Sequence, residues 1–244
     1  MTLTYVVTGA GRGIGRAIVE RLAPATVVAV EREPGALDGA GAGVIPVIGD
    51  AADETVLAHA ADLAERAGTL TGWVNNAAVF RDAAVHTAPV AEIRALIAAN
   101  LDLAVAGCAT AVRRFLASGT AGAIVNVTSH QARRPVPGSL PYATAKAAVE
   151  GLTRALAVEY GRHGIRANAV APGSVATERY ERLLADRPGT EAEMAALHPL
   201  GRVATTAEVA DAVAYLLSAS FVTGVTLPVD GGRTVLGLDP EARE

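Results

Sequence analysis

The sequence predicts an α/β fold: a doubly wound, seven-stranded parallel sheet flanked by helices on both faces, in one domain spanning 1–244. Three observations carry this expectation. Short apolar runs alternate with helical patterns from end to end, which is the signature of repeated βα units. The chain is 51% hydrophobic but only 4% aromatic, so its apolar mass is aliphatic, as strands buried on both faces require. The first apolar run passes directly into a glycine-rich turn and then an amphipathic helix.

The strand candidates are 3–8, 26–30, 44–48, 72–75, 123–128, 166–170 and 225–228, and helical patterns fall at 13–22, 53–67, 91–116, 142–162 and 206–218. The connection 31–43 is rich in Gly, Ala and Pro, so any helix there is short. No linker or repeat divides the chain. The polar stretch 174–200 follows the sixth strand, where a doubly wound sheet places a substrate lid.

A formal charge of -4 provides no basic footprint for nucleic acid and no polybasic stretch for a membrane surface. The stretch 95–112 approaches membrane-span length, but Asn100, Asp102 and Thr110 interrupt it, and a helix buried on two sides is expected. The only cysteine is Cys108, which excludes an intramolecular disulfide and a Cys-based zinc site. The N-terminus opens straight into a strand pattern with no basic region or cleavage site, so no signal peptide is expected and a reducing cytoplasm is the expected compartment. The five histidines show no metal-ligand spacing. His130 and His198 are open between a substrate-facing and an exposed place, and Arg133 and Arg134 between an acid-binding and a solvated pair.

The first strand ends in Thr8-Gly9-Ala10-Gly11-Arg12-Gly13-Ile14-Gly15. Glycines allow positive φ and close approach of a pyrophosphate, and the following helix offers free N–H groups and a positive dipole end. Ile14 stands where the common dinucleotide fingerprint has its last glycine, and no Gly-Lys-Ser/Thr follows, so a P-loop is excluded. Tyr142 and Lys146, four residues apart, share one helix face. A free phenol titrates near about 10, and a neighbouring cation favours the phenolate that acid–base work needs. Ser129 follows the fifth strand at the carboxyl edge of the sheet. At the end of the second strand, Glu31 can accept both adenosine ribose hydroxyls and repel a 2′-phosphate, which favours NAD; Arg12 and Arg32 favour the alternative, NADP.

Taken together, these motifs resemble the short-chain dehydrogenase/reductase family over nearly the whole chain. Thr8–Gly15 matches its cofactor loop, Asn75-Asn76-Ala77-Ala78 its Asn-Asn-Ala-Gly element with Ala78 in place of glycine, and Asn100, Ser129, Tyr142 and Lys146 its tetrad in order. Ala171-Pro172-Gly173 and Val229-Asp230-Gly231-Gly232 match its later signatures. The resemblance implies a Rossmann fold and NAD(P)-dependent interconversion of a carbonyl and a secondary alcohol, with a non-redox lyase or a cofactor-sensing protein as alternatives. It implies that Tyr142 exchanges the proton, Ser129 holds the substrate oxygen, Lys146 lowers the tyrosine pKa and binds the nicotinamide ribose, and Asn100 holds a water linking Lys146 to solvent. It extends the cofactor contacts to Gly9, Arg12, Gly13, Ile14, Gly15, Glu31, Arg32, Asp50 (at the adenine, or simply turn-forming), Ala51, Asn76, Ala77, Ala78, Pro172, Gly173, Val175 and Thr177, with the last two at the carboxamide. A homotetramer is expected, since 91–116 and 142–162 carry more apolar surface than one sheet face covers.

Overall fold

In the computed structural model, which describes residues 2–237, all seven strands lie parallel in one sheet of order β3-β2-β1-β4-β5-β6-β7. They are β1 (Leu3–Thr8), β2 (Thr26–Glu31), β3 (Val44–Ile48), β4 (Thr69–Asn75), β5 (Gly122–Val127), β6 (Ile165–Pro172) and β7 (Thr226–Val229). The expected seven-stranded sheet is therefore present; the outermost residues of 1–244 lie outside the described ones. β4 starts three residues earlier than 72–75, because Thr69 and Leu70 already pair with Leu3 and Thr4 of β1.

Helices cover both faces. α2 (Glu54–Ala67), α3 (Val90–Ser118) and α4 (Leu140–Tyr160) pack on one, burying Leu57, Leu103, Phe115 and Leu156 against Val6, Val28 and Ile124. α1 (Gly13–Arg21) and α7 (Thr206–Ser218) pack on the other, burying Ile18, Val213 and Leu216 against Val7, Ala29 and Val125. Neighbouring residues such as Val6 and Val7 thus serve opposite cores, as the alternation of side chains along a strand dictates. Local signals set the helix starts. Asp53 caps α2 by accepting from Thr55 N at 2.7 Å, and Thr205 with Glu208 forms a capping box on α7.

The connection 31–43 forms turns rather than a helix, since Pro34 and Gly35 interrupt it at once. Within 174–200 stand two short helices, α5 (Glu178–Asp186) and α6 (Thr190–Ala196). α3 is long and apolar enough to cross a membrane, and half of its most apolar stretch is buried within the protein. Strand order reverses between β1 and β4, which opens a crevice at the carboxyl edge of the sheet.

Candidate active site

A polar network below the crevice joins β4, β5 and α4. Trp73 Nε1 donates to Asn75 Oδ1 at 2.9 Å, Asn75 Nδ2 to Asn126 Oδ1 at 2.8 Å, and Asn126 Nδ2 to Thr153 Oγ1 at 2.9 Å. Buried amides are costly unless satisfied, so this chain fixes the strands relative to α4. Gly107 lets α3 pass over it: a Cβ there would meet Asn75 Oδ1 at 1.9 Å. Cys108 lies in the same layer, where burial pushes its thiol up to about 12 and leaves it unreactive.

The glycine loop sits at the crevice. Gly9 and Gly13 adopt left-handed φ of 63° and 52°. Asn76 ties the loop to the end of β4: its Nδ2 donates to Thr8 O at 3.2 Å and Gly9 O at 2.9 Å, and its backbone N donates to Thr8 Oγ1 at 3.1 Å. Gly9 packs so closely on Ala77 that a Cβ would lie 2.8 Å from its Cα, and Ala78 follows half-buried. Ile14 packs into the core beneath α1. The start of α1 has no side-chain cap, so its first N–H groups point free into the crevice. Such a loop and uncapped helix end suit a pyrophosphate, and the residues present fit a dinucleotide.

At the adenosine end, the Glu31 carboxylate accepts from Gly11 N at 3.0 Å and Arg32 N at 2.8 Å. Arg12 is ion-paired to Glu33 at 3.1 Å, while Arg32 is exposed. Glu33 was not singled out by the sequence; the pairing of Arg12 across two turns has no local signal. The Asp50 carboxylate turns back to Ala52 N at 2.9 Å, the turn-forming option, and Ala51 is buried beside it. On the far side, Pro172 closes β6 and Gly173 leaves room for Asp230 and His198. Val175 bridges to Ala204, and Thr177 caps α5 and lies against Gly13. The loops after β1 and β6 therefore meet.

Between these loops lie the expected tetrad positions, each 9% exposed or less. The Ser129 hydroxyl accepts from Gln131 N at 3.1 Å and neighbours the Tyr142 phenol, whose pKa it pulls down. The Lys146 ammonium donates to Val127 O at 2.8 Å and stands 5.5 Å from the Tyr142 ring centroid. Burial brings that ammonium down to about 8.

Burial also pushes the Tyr142 phenol up to about 12, against the opposing pull of Ser129 and the Arg179 guanidinium. In this state desolvation of the phenol dominates and the Lys146 ammonium is turned to the Val127 carbonyl. Asn100 Oδ1 accepts from Val79 N at 2.9 Å and its Nδ2 donates one hydrogen to Val79 O at 2.8 Å, so the amide clamps the loop after β4 and keeps its second Nδ2 hydrogen for another partner.

Four residues left open by sequence take definite places. Arg133 pairs with Glu150 at 3.2 Å and Arg134 donates to the carbonyls of Arg233 and Leu236, while both side chains remain exposed to solvent. His130 is buried against Pro172 O at 3.2 Å, and burial with the nearby Arg233 lowers it to about 4. His198 is buried between Met194 O at 2.7 Å and Ser174 N at 3.2 Å. Phe80, which packs tilted against the Tyr142 ring, and Arg179, which lies over Phe80, were missed; only their proximity in the fold reveals them.

A glycine cradle for a dinucleotide, facing a buried phenol, hydroxyl and ammonium at one sheet edge, defines a nicotinamide-dependent oxidoreductase. A family model described as Enoyl-(Acyl carrier protein) reductase matches residues 9–234. The chain belongs to the short-chain dehydrogenase/reductase family, whose NAD(P)-dependent members interconvert alcohols and carbonyls, and it is an enzyme of that class. It is 38% identical to a 2,5-dichloro-2,5-cyclohexadiene-1,4-diol dehydrogenase of Sphingobium indicum, covering 96% of this chain and 97% of the relative. It is 41% identical to a cis-4-hydroxycyclohexanecarboxylate dehydrogenase of Sinomonas cyclohexanicum, covering 95% and 96%. Among solved structures, ElxO with NADP bound superposes with a TM-score of 0.86 at 25% identity, covering 97% and 100%.

Proposed function

We propose that the enzyme oxidises a ring-borne secondary alcohol, or reduces the matching ketone, with NAD(H) as the preferred dinucleotide. The observation that carries the mechanism is the buried Ser129–Tyr142 pair with Lys146 one helical turn on, at the carboxyl edge of β5. The nicotinamide supplies the hydride acceptor or donor. In oxidation, Tyr142 takes the proton of the substrate hydroxyl, and Ser129 holds the substrate oxygen by a hydrogen bond that strengthens as charge develops. Lys146, rotated from Val127 O, binds the ribose hydroxyls and favours the phenolate. Asn100 orders the β4 loop through Val79 and has a second Nδ2 hydrogen for a water linking Lys146 to solvent.

Gly9, Gly13, Ile14 and Gly15 with the start of α1 cradle the pyrophosphate; Asp50, Ala51, Asn76, Ala77 and Ala78 line the adenosine side, and Pro172, Gly173, Val175 and Thr177 the nicotinamide. The preference for NAD rests on Glu31, whose carboxylate holds the place a 2′-phosphate needs, and on Glu33, which neutralises Arg12. The substrate class rests on the two relatives named for cyclohexane-type alcohols, and on the aromatic pair Phe80–Tyr142, whose ring centroids lie 4.9 Å apart beside the reacting hydroxyl. We further infer a cytoplasmic homotetramer, supported by apolar side chains exposed on the helices that cover one sheet face, Val105 on α3 and Val158 on α4. A panel of cyclohexanols, cyclohexanediols and their ketones, followed by absorbance with each dinucleotide, tests the reading. Turnover of ring alcohols with NAD+ is expected; turnover confined to acyclic substrates refutes the substrate class.

A further inference from the structure

The lid places a cation in the catalytic stack. Arg179, in the first turn of α5, holds its guanidinium 4.0 Å from the Phe80 ring centroid, and the Phe80 ring lies 4.9 Å from that of Tyr142 at an interplanar angle of 33°. Guanidinium planes stack on aromatic faces as ammonium groups do not, so Phe80 serves as the seat that fixes this charge. The stack also accounts for a phenylalanine 52% exposed at the mouth of the crevice. Glu178 and Glu181 share the helix with Arg179, yet among the described residues no carboxylate stands within ion-pair distance of it. Its charge is therefore uncompensated.

The groups facing Tyr142 are few. Ser129 approaches from the end of β5, Lys146 from the same helix, Phe80 from the loop after β4, and Arg179 from the lid. Lys146 spends its hydrogen bond on Val127 O. Of the two cations near the ring, Arg179 alone belongs to an element that packs only lightly on the rest: no residue of α5 is buried.

We propose that Arg179 is a positioning residue that draws Tyr142 toward its ionised form when α5 lies closed on Phe80, so that lid closure and base strength are coupled. With α5 withdrawn, the phenol loses the cation and holds its proton. With α5 closed over a bound alcohol, the cation offsets part of the burial that holds the proton, and the phenol gives it up at lower pH, ready to accept the substrate hydroxyl proton. The proposal rests on Tyr142 being the general base, as proposed above.

The test is the pH dependence of kcat/KM for an uncharged ring alcohol such as cyclohexanol at saturating NAD+, in wild type, Arg179→Gln and Arg179→Lys. In Arg179→Gln the midpoint of the rising limb moves up by roughly half a pH unit to one unit, and Arg179→Lys, which keeps the charge but not the planar stacking, recovers only part of that shift. Added salt raises the wild-type midpoint, since an exposed charge is screened, and leaves the Gln variant unmoved. A Gln variant with an unmoved midpoint overturns the proposal, whatever happens to kcat or KM. The same comparison is read without turnover from the phenolate absorbance of the NAD+ complex, each protein measured against its own Tyr142→Phe partner. If no ring alcohol is oxidised, the substrate class fails, while this titration still decides for or against Arg179.

Discussion

Replacing Gly15 with alanine tests whether the loop after β1 is a tight dinucleotide cradle. The added methyl would stand 1.9 Å from Gly9 O and 2.6 Å from Asn76 Nδ2, and side-chain contacts of this kind do not fall below 3.0 Å. The obstacle is backbone, so the loop and α1 must separate by about 1 Å. Overpacking of this size costs about 1–3 kcal/mol, and at about 2–4 °C per kcal/mol for a chain of this length melting falls by roughly 2–12 °C. The shift also moves the free N–H groups of α1, so NADH affinity drops at least about tenfold, a change of about 1.4 kcal/mol. Gly41→Ala is the control, because nothing lies within 4 Å of a Cβ there. Thermal unfolding and NADH fluorescence titration read both effects. Wild-type NADH affinity in Gly15→Ala refutes the cradle.

Three further outcomes are expected. Glu31→Ala weakens NAD binding and improves NADP binding, so the ratio of kcat/KM for the two dinucleotides moves at least tenfold toward NADP; an unchanged ratio means that Arg12 and Arg32 decide instead. Lys146→Ala lowers turnover and dinucleotide affinity together, since one ammonium serves both Tyr142 and the ribose; unaltered affinity removes the second task. His130 is neutral in the fold, with its pKa lowered from 6.5 to about 4 by burial. The unfolded chain therefore binds the extra proton first, and stability that is full above about 6.5 is lost as pH falls toward 4, by roughly 3 kcal/mol at most. Urea midpoints between pH 7 and 4 should flatten in His130→Asn, and an identical slope in the variant would assign the loss to other groups.

Much of this architecture was legible in the sequence because its signals are local. Strand, glycine turn and helix are contiguous from Leu3 to Arg21, and Tyr142 and Lys146 are fixed relative to each other by helix geometry alone. Signals failed where partners come from afar. Asn100 reads as a polar interruption of an apolar helix, and only the fold shows both its amide atoms bonded to Val79. Proximity of Tyr142 to Lys146 is visible in the sequence, whereas burial of the phenol is not. Arg179 and Phe80 lie about a hundred residues apart, and nothing in either neighbourhood marks them as a pair. Likewise, Arg133 finds its acid seventeen residues on, in a different element, so charge patterning gives no sign of the ion pair.

The central claim is that Tyr142 moves the proton while the rest of the site holds the dinucleotide and substrate. Tyr142→Phe removes one oxygen from a side chain 9% exposed and keeps the ring against Phe80. Turnover of a ring alcohol with NAD+, measured beside NADH affinity on the same preparation, separates the two tasks. The account predicts kcat lowered at least about a hundredfold, as loss of a general acid–base group does, with NADH affinity within about twofold of wild type. A variant that turns over at the wild-type rate contradicts it.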